Sequence, residues 1–284
     1  MQIGRRLLPV VVLATTTLLA TSLVTESSVA VSVAVSKSMA GATQGVEPRA
    51  AGRVVATDCE NLAVTIDLTD AQQARAARLL PRGFRLTEGP TLLVESSTCR
   101  TAKVNGKRIG RFSLSESALS IEPPHPITAQ AMTERTDENI FMLSQLDTNA
   151  RLSRFKDRAG YRTEVTRIDI DLGNPLVPRT ATASAGGTIA PSRAEAMLTP
   201  TALPDGVDVP NPGLVYKLWT RDSRGRAVVT TNSNFDLGRV AVGYGTVFVR
   251  PGTTLHRLLG ANTASGFALS GSARQFVNET YVFS

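Results

Sequence analysis

Apolar positions in this chain alternate over short stretches and seldom recur at helical spacing, a pattern that predicts strands. In Asn61–Leu68, the residues Leu62, Val64, Ile66 and Leu68 fall on one side, as in a half-buried strand. Thr91–Ser97, Phe112–Ile121, Asn139–Gln145 and Thr163–Leu172 have similar β character. Asn105-Gly106 lies between two of these runs and favours a tight hairpin turn, because both residues accept positive φ. Helical signals are fewer. Thr69 and Gln72 can form a capping box at the head of a short helix that Pro81 stops. A second helix is predicted behind an Asp147 cap, with Ala150, Leu152, Phe155 and Ala159 on its apolar side and Gly160 as its terminator. Pro251–Gly260 reads as a third, with Leu255, Leu258 and Leu259 inward.

Further strands are predicted in Gly213–Arg221, Ala227–Asn232, Val240–Arg250 and Ser265–Phe283. Between the two halves, residues 173–212 hold several prolines and glycines and are expected to form a long loop or lid around a short strand near Thr180–Ala185. The sum is roughly nine or ten strands with no repeated βα unit. This predicts a mainly β (α+β) protein: an antiparallel β-barrel or cone-like sheet with two or three short peripheral helices. Residues 53–284 are read as one such domain, with a domain boundary in the middle loop as the alternative.

The N-terminus follows a different pattern. Arg5-Arg6 precede an apolar run from Leu7 to Val24, and small residues then gather at Ser32, Ala34, Ala40 and Ala42. Basic, apolar and small-residue regions in that order predict a secretion signal over residues 1–35, with cleavage after Ala34 or Ala42. An uncleaved membrane anchor is the alternative, since the run is just long enough to span. Residues 36–52 are small and polar and are read as a disordered spacer. Export changes the reading of Cys59 and Cys99, the two cysteines of the chain. In an oxidising compartment an even pair is most simply a disulfide.

The net charge of +7 is spread along the sequence, and aromatic residues make up 5% of it. A nucleic-acid binder would be expected to show a basic stripe with interleaved aromatics. No nucleic-acid partner is therefore expected, only a weak attraction to an anionic cell envelope.

Chemistry is sparse. His125 sits in a Pro-His-Pro turn and His256 beside Leu255, and both are read as packing or surface residues. There is no Gly-x-Ser-x-Gly elbow, no His-Glu-x-x-His and no acidic calcium loop, so neither a metal nor a cofactor is expected. The carboxylates Glu95, Glu116 and Glu122 lie on predicted strands or their ends. Glu116 shares its parity with Phe112, Leu114 and Ala118. If that face is the interior, the carboxylate is buried and must be paired or hold its proton. If Leu119 and Ile121 define the core instead, Glu116 points to water.

Leu80-Pro81-x-Gly83-Phe84, the strand Leu92-Leu93-Val94-Glu95, Glu116 in a serine-rich strand, Phe141-Met142-Leu143 and the helix ending in Gly160-Tyr161 occur in that order. This arrangement resembles the acetoacetate decarboxylase-like superfamily over about residues 60–170. The resemblance implies a β-barrel or cone with an internal cavity in which Glu116 lies. It also implies a lysine after a Gly-aromatic-Pro turn that forms a Schiff base with a keto acid, and a second lysine that lowers its pKa. The matching stretch, Gly160-Tyr161-Arg162-Thr163-Glu164, holds no lysine, and Arg162 stays protonated. Lys156, among Arg154, Asp157 and Arg158, is read as part of a solvated face.

The expectation is a secreted protein that binds a small apolar or carboxylate-bearing ligand, without Schiff-base decarboxylation. Glu116, Arg162, Tyr216 and Trp219 are its candidate ligand-binding residues. Two alternatives stand beside it: an enzyme using Glu116 as general acid/base on a keto or enol substrate, and a cell-surface interaction protein.

Overall fold

The structure, a computed structural model, describes residues 48–122, 138–173, 179–201 and 214–283. The predicted signal, most of the predicted spacer, His125, and residues 174–178 and 202–212 of the predicted loop lie outside the described residues. The strands in chain order are β1 (Arg49–Asp67), β2 (Arg85–Leu86), β3 (Thr91–Val104), β4 (Lys107–Arg108), β5 (Phe112–Glu122), β6 (Asn139–Asp147), β7 (Thr163–Val165) and β8 (Ile168–Asp171). They continue with β9 (Arg179–Ala185), β10 (Ser192–Thr201), β11 (Leu214–Arg221), β12 (Ala227–Val249) and β13 (Thr263–Val282). The helices are α1 (Asp70–Ala77), α2 (Ala150–Arg158) and α3 (Thr254–Leu259).

Strand pairing follows the order β11-β6-β5-β3-β1-β13-β12-β10-β9-β8, and β11 also pairs with β12. That last pairing closes β1, β3, β5, β6, β11, β12 and β13 into a ring. The first part of β12 pairs with β11 and the last part with β10, so β10, β9 and β8 extend the sheet beyond the ring, and β8 and β9 pack back against β1, β3 and β5. The result is a mainly β sheet that rings its core without forming a regular barrel. Two pairings are parallel, β6 with β11 and β6 with β7.

Local signals explain much of this. Asn105 and Gly106 both adopt positive φ, 48° and 79°, as the tight turn between β3 and β4 requires. Gln72 Oε1 accepts from the Thr69 N–H at 2.9 Å and closes the capping box of α1. Leu255, Leu258 and Leu259 of α3 are buried with Leu62, Val64 and Leu92, each contributing about 1.5–3 kcal/mol of apolar burial.

Three boundaries differ from the sequence reading. β1 starts at Arg49, inside the predicted spacer, because its edge is held by β13 through pairs such as Arg49–Val282. The short strand expected near Thr180–Ala185 is β9, and β10, within the expected loop, joins it in a hairpin; their alternating small residues Ala181, Ala183, Ala194 and Ala196 are buried against the main core. Asp147 is the last residue of β6, and the cap of α2 is Asn149, whose Oδ1 accepts from the N–H groups of Arg151 and Leu152 at 3.0 and 3.2 Å.

Cys59 and Cys99 are directly opposite on β1 and β3 and form a disulfide across 40 positions of sequence. Loop entropy gives such a bridge about 3–4 kcal/mol. Replacing both cysteines by alanine is expected to lower the thermal midpoint by about 6–15 °C, read by calorimetry against the oxidised protein.

Candidate functional site

Three neighbouring strands bring the first acidic groups together. β5 lies between β3 and β6, and Glu116 is directly opposite Glu95 on one side and Gln145 on the other. Cross-strand partners share a face, so the three side chains form a row. Glu116 is 6% exposed and lies between two apolar clusters, with Phe112 and Leu114 in one and Ala118 in the other. Leu119 and Ile121 are also buried, because β5 is covered on both faces. Glu122, at the strand's end, is exposed.

A β-bulge adds the next carboxylate. Ser117 pairs with Ser144 but Ala118 pairs with Met142, leaving Leu143 as an extra residue in β6. The insertion reverses the alternation, so Met142 before it and Gln145 and Asp147 after it face the same interior. Asp147 is fully buried, and its Oδ1 accepts from Gln145 Nε2 at 3.1 Å.

The helix α2 supplies the amine. Leu152, Lys156 and Ala159 follow one another at i, i+4 and i+7, and all three are buried. Lys156 is 1% exposed, and its Nζ lies 4.8 Å from the centroid of the Tyr161 ring. The solvated face read from its charged sequence neighbours is therefore incorrect: Arg154 and Arg158 are exposed, whereas Lys156 belongs to the buried stripe. Gly160 ends the helix at φ 91°, where an added Cβ would stand 2.2 Å from the Arg221 carbonyl oxygen. Gly160→Ala is expected to cost about 3 kcal/mol or more, measured by urea unfolding, since both the backbone conformation and the fixed carbonyl oppose it.

Burial dominates the electrostatics. It raises Glu116 to about 8, with Glu95 and Asp147 adding to the rise and Lys156 opposing it. Asp147 is raised to about 7 by burial, against the Gln145 hydrogen bond and Lys156. Lys156 is lowered by burial, which outweighs the attraction of Glu116 and Asp147. A charged group removed from water without close pairing gives up its charge. Near neutral pH the cluster therefore combines a mostly protonated Glu116 with an Asp147 that is about half ionised, and burial pushes the Lys156 amine toward its neutral form.

The other walls are polar as well. The Glu95 carboxylate accepts from Asn61 Nδ2, Ser97 Oγ and the Tyr216 hydroxyl at 3.1, 2.9 and 3.4 Å. Burial raises the Tyr216 phenol well above its ordinary value, and the nearby Glu95 and Glu116 add to the effect. The Tyr161 hydroxyl lies 3.1 Å from the Leu218 carbonyl and 2.6 Å from Thr230 Oγ1. Gln145 Oε1, Asp147 Oδ2, Lys156 Nζ, Asn232 Oδ1 and Asn278 Oδ1 are buried and have no hydrogen-bond partner. Such atoms are costly unless a bound molecule meets them.

The structure thus brings Tyr216 to the acidic row but separates the other two ligand candidates from it. Trp219 projects from the opposite face of β11, stacked on Phe283 at 5.6 Å and donating to Asn139 Oδ1 at 2.8 Å. Arg162 is exposed, beside the Glu164 carboxylate. Glu164 is itself bound by the backbone N–H groups of Thr188 and Ile189, each at 2.8 Å from Oε2. His256 sits in α3, where the Gly252 N–H donates to its Nδ1 at 3.4 Å. Two described hollows, one of about 220 Å³ beside Arg53 and Glu279 and one of about 400 Å³ beside Met197 and Tyr244, lie away from Glu116. The unpartnered polar atoms, rather than either hollow, mark the interior as the candidate site.

No family model and no curated protein matches the chain. Solved structures do. An acetoacetate decarboxylase-like enzyme from Sphingomonas wittichii RW1 superposes with a TM-score of 0.56 at 13% identity, over 81% of this chain and 93% of that one. The enduracididine biosynthesis enzyme MppR, complexed with the condensation product of pyruvate and imidazole 4-carboxaldehyde, gives 0.54 at 16% identity, over 81% and 87%. A structure from studies of acetoacetate decarboxylase gives 0.51 at 9% identity, over 87% and 96%. The likeness covers 81–87% of this chain. This chain has the acetoacetate decarboxylase-like fold.

Proposed function

We propose that this protein is an exported enzyme that acts on small carbonyl compounds through an imine formed on Lys156. The observation that carries the reading is the Lys156 Nζ, buried, without a hydrogen-bond partner and pushed by burial toward its neutral form beside Glu116 and Asp147. A neutral amine has the lone pair that attack on a carbonyl carbon requires. As the C–N bond forms, protonated Glu116 donates its proton to the carbonyl oxygen. Asp147 in its ionised form then takes one proton from the nitrogen and returns it to the new hydroxyl, which leaves as water, and the iminium remains. Tyr216 and Glu95 hold the opposite side of the row in place. A complex of MppR, of the same fold, with pyruvate supports small keto compounds as the substrate class.

Export is supported by the N-terminal pattern and by the Cys59–Cys99 disulfide, a bond that persists in oxidising compartments. A second reading, in which the interior holds a ligand without turning it over, is favoured by the lack of a lysine in Gly160–Glu164. The test is consumption of 2-keto and 3-keto acids followed by proton NMR. Turnover of at least one compound is expected, with a loss of about 10²–10⁴-fold in Glu116→Gln. No consumption by the wild-type protein, with a ligand retained in native mass spectra, would replace the enzyme reading with the binding one.

A further inference from the structure

Asn232 and Asn278 are directly opposite on β12 and β13, and they are 1% and 2% exposed. Asn232 is also directly opposite Tyr216, whose hydroxyl donates to Glu95. One strand step away on the same faces, Thr230 and Thr280 share a hydrogen bond of 3.0 Å, and Thr230 meets the Tyr161 hydroxyl below the Lys156 amine. The threonines are thus satisfied within the protein, while the Oδ1 atoms of both asparagines are not. Two neighbouring buried carboxamide oxygens without partners are expensive to keep, and apolar residues of the same shape would pack there at lower cost.

We propose that Asn232 and Asn278 form a subsite for a hydroxyl group on the substrate, so that the preferred carbonyl compound is a hydroxy-ketone or hydroxy-keto acid. A hydroxyl carries one proton and meets one of the two Oδ1 acceptors, whereas an apolar chain end would leave both unmet. The subsite deepens the reading of Lys156 as the reacting amine, since it orients the chain whose carbonyl faces that amine.

The test is equilibrium binding in Lys156→Met protein, where no imine can form, so it is independent of the amine chemistry. The probes are pairs of methyl ketones of four to six carbons, one member ending in methyl and the other in hydroxyl, followed by calorimetric titration. At one chain length the hydroxyl-bearing member is expected to bind at least about tenfold more tightly. That ratio is expected to fall below about twofold in Asn232→Leu and in Asn278→Leu. Equal affinity at every length, binding of neither member, or a preference that survives both substitutions overturns the subsite. Failure of the amine reading shows separately, as absence of keto-acid turnover in the wild-type protein.

Discussion

Lys156→Met is expected to raise the stability of the protein while abolishing turnover of keto compounds. Methionine matches the length of the lysine stem and fills the same stripe between Leu152 and Ala159, but it has no amine to bury. Removing a buried, unpaired ionisable group in favour of an apolar one is expected to contribute about 1–4 kcal/mol, or about 3–12 °C in thermal midpoint for a domain of this size. A catalytic amine kept at the expense of stability is the pattern of a functional site. Calorimetry and the NMR turnover assay on the same preparation read both effects. A lower midpoint in the variant would show that Lys156 is structural, with its charge satisfied inside the fold.

Stability is also expected to fall as the pH rises from about 5 to about 8, reversing the usual behaviour of carboxylates. Glu116 and Asp147 keep their protons in the folded state up to about 8 and about 7, while in the unfolded chain they lose them near 4.5 and 3.8. Across that window the folded state binds more protons than the unfolded one, so each rise in pH favours unfolding. Glu116 alone accounts for about 4 kcal/mol by this linkage. Lys156 acts in the opposite sense. Its folded-state pKa is lowered, so above that value the unfolded chain holds the extra proton, and stability rises with pH until 10.5. Two carboxyl groups outweigh one amine below about pH 7, and above about pH 8 only the amine contributes. Urea unfolding from pH 5 to pH 10 is expected to show a minimum near pH 8. In Glu116→Gln the fall should shrink by more than half, because the amine then opposes a single carboxyl group. A flat profile in the wild-type protein would mean that both carboxylates are charged and compensated.

Much of the fold was readable from local chemistry. The Asn105-Gly106 turn, the Thr69–Gln72 box and the leucines of α3 each act within a few residues, and each stands as the sequence implied. Parity also placed Glu116 on the face of Phe112, Leu114 and Ala118, leaving open only whether that face was covered. What sequence alone did not reveal depends on longer-range or irregular geometry. The bulge at Leu143 reverses the alternation of β6, so Asp147 read as a helix cap when it is an interior carboxylate. The pairings β6–β11 and β1–β13 unite strands far apart in sequence, and the β11–β12 hairpin they enclose brings Asn232 opposite Tyr216. Lys156 was within reach: the helical spacing from Leu152 to Ala159 runs through it, but its charged neighbours in sequence masked the stripe. Trp219 was misplaced because a strand buried on both faces gives its odd and even positions similar apolar character.

The most direct test of the central proposal, a neutral Lys156 amine able to form an imine, is borohydride reduction of the wild-type protein in the presence of pyruvate at pH 7. It is followed by intact mass measurement and peptide mapping. Expected is a single reduced pyruvate adduct on Lys156, absent from Lys156→Met protein. No adduct, or adducts spread over exposed lysines such as Lys103 and Lys107 with Lys156 unmodified, would contradict it.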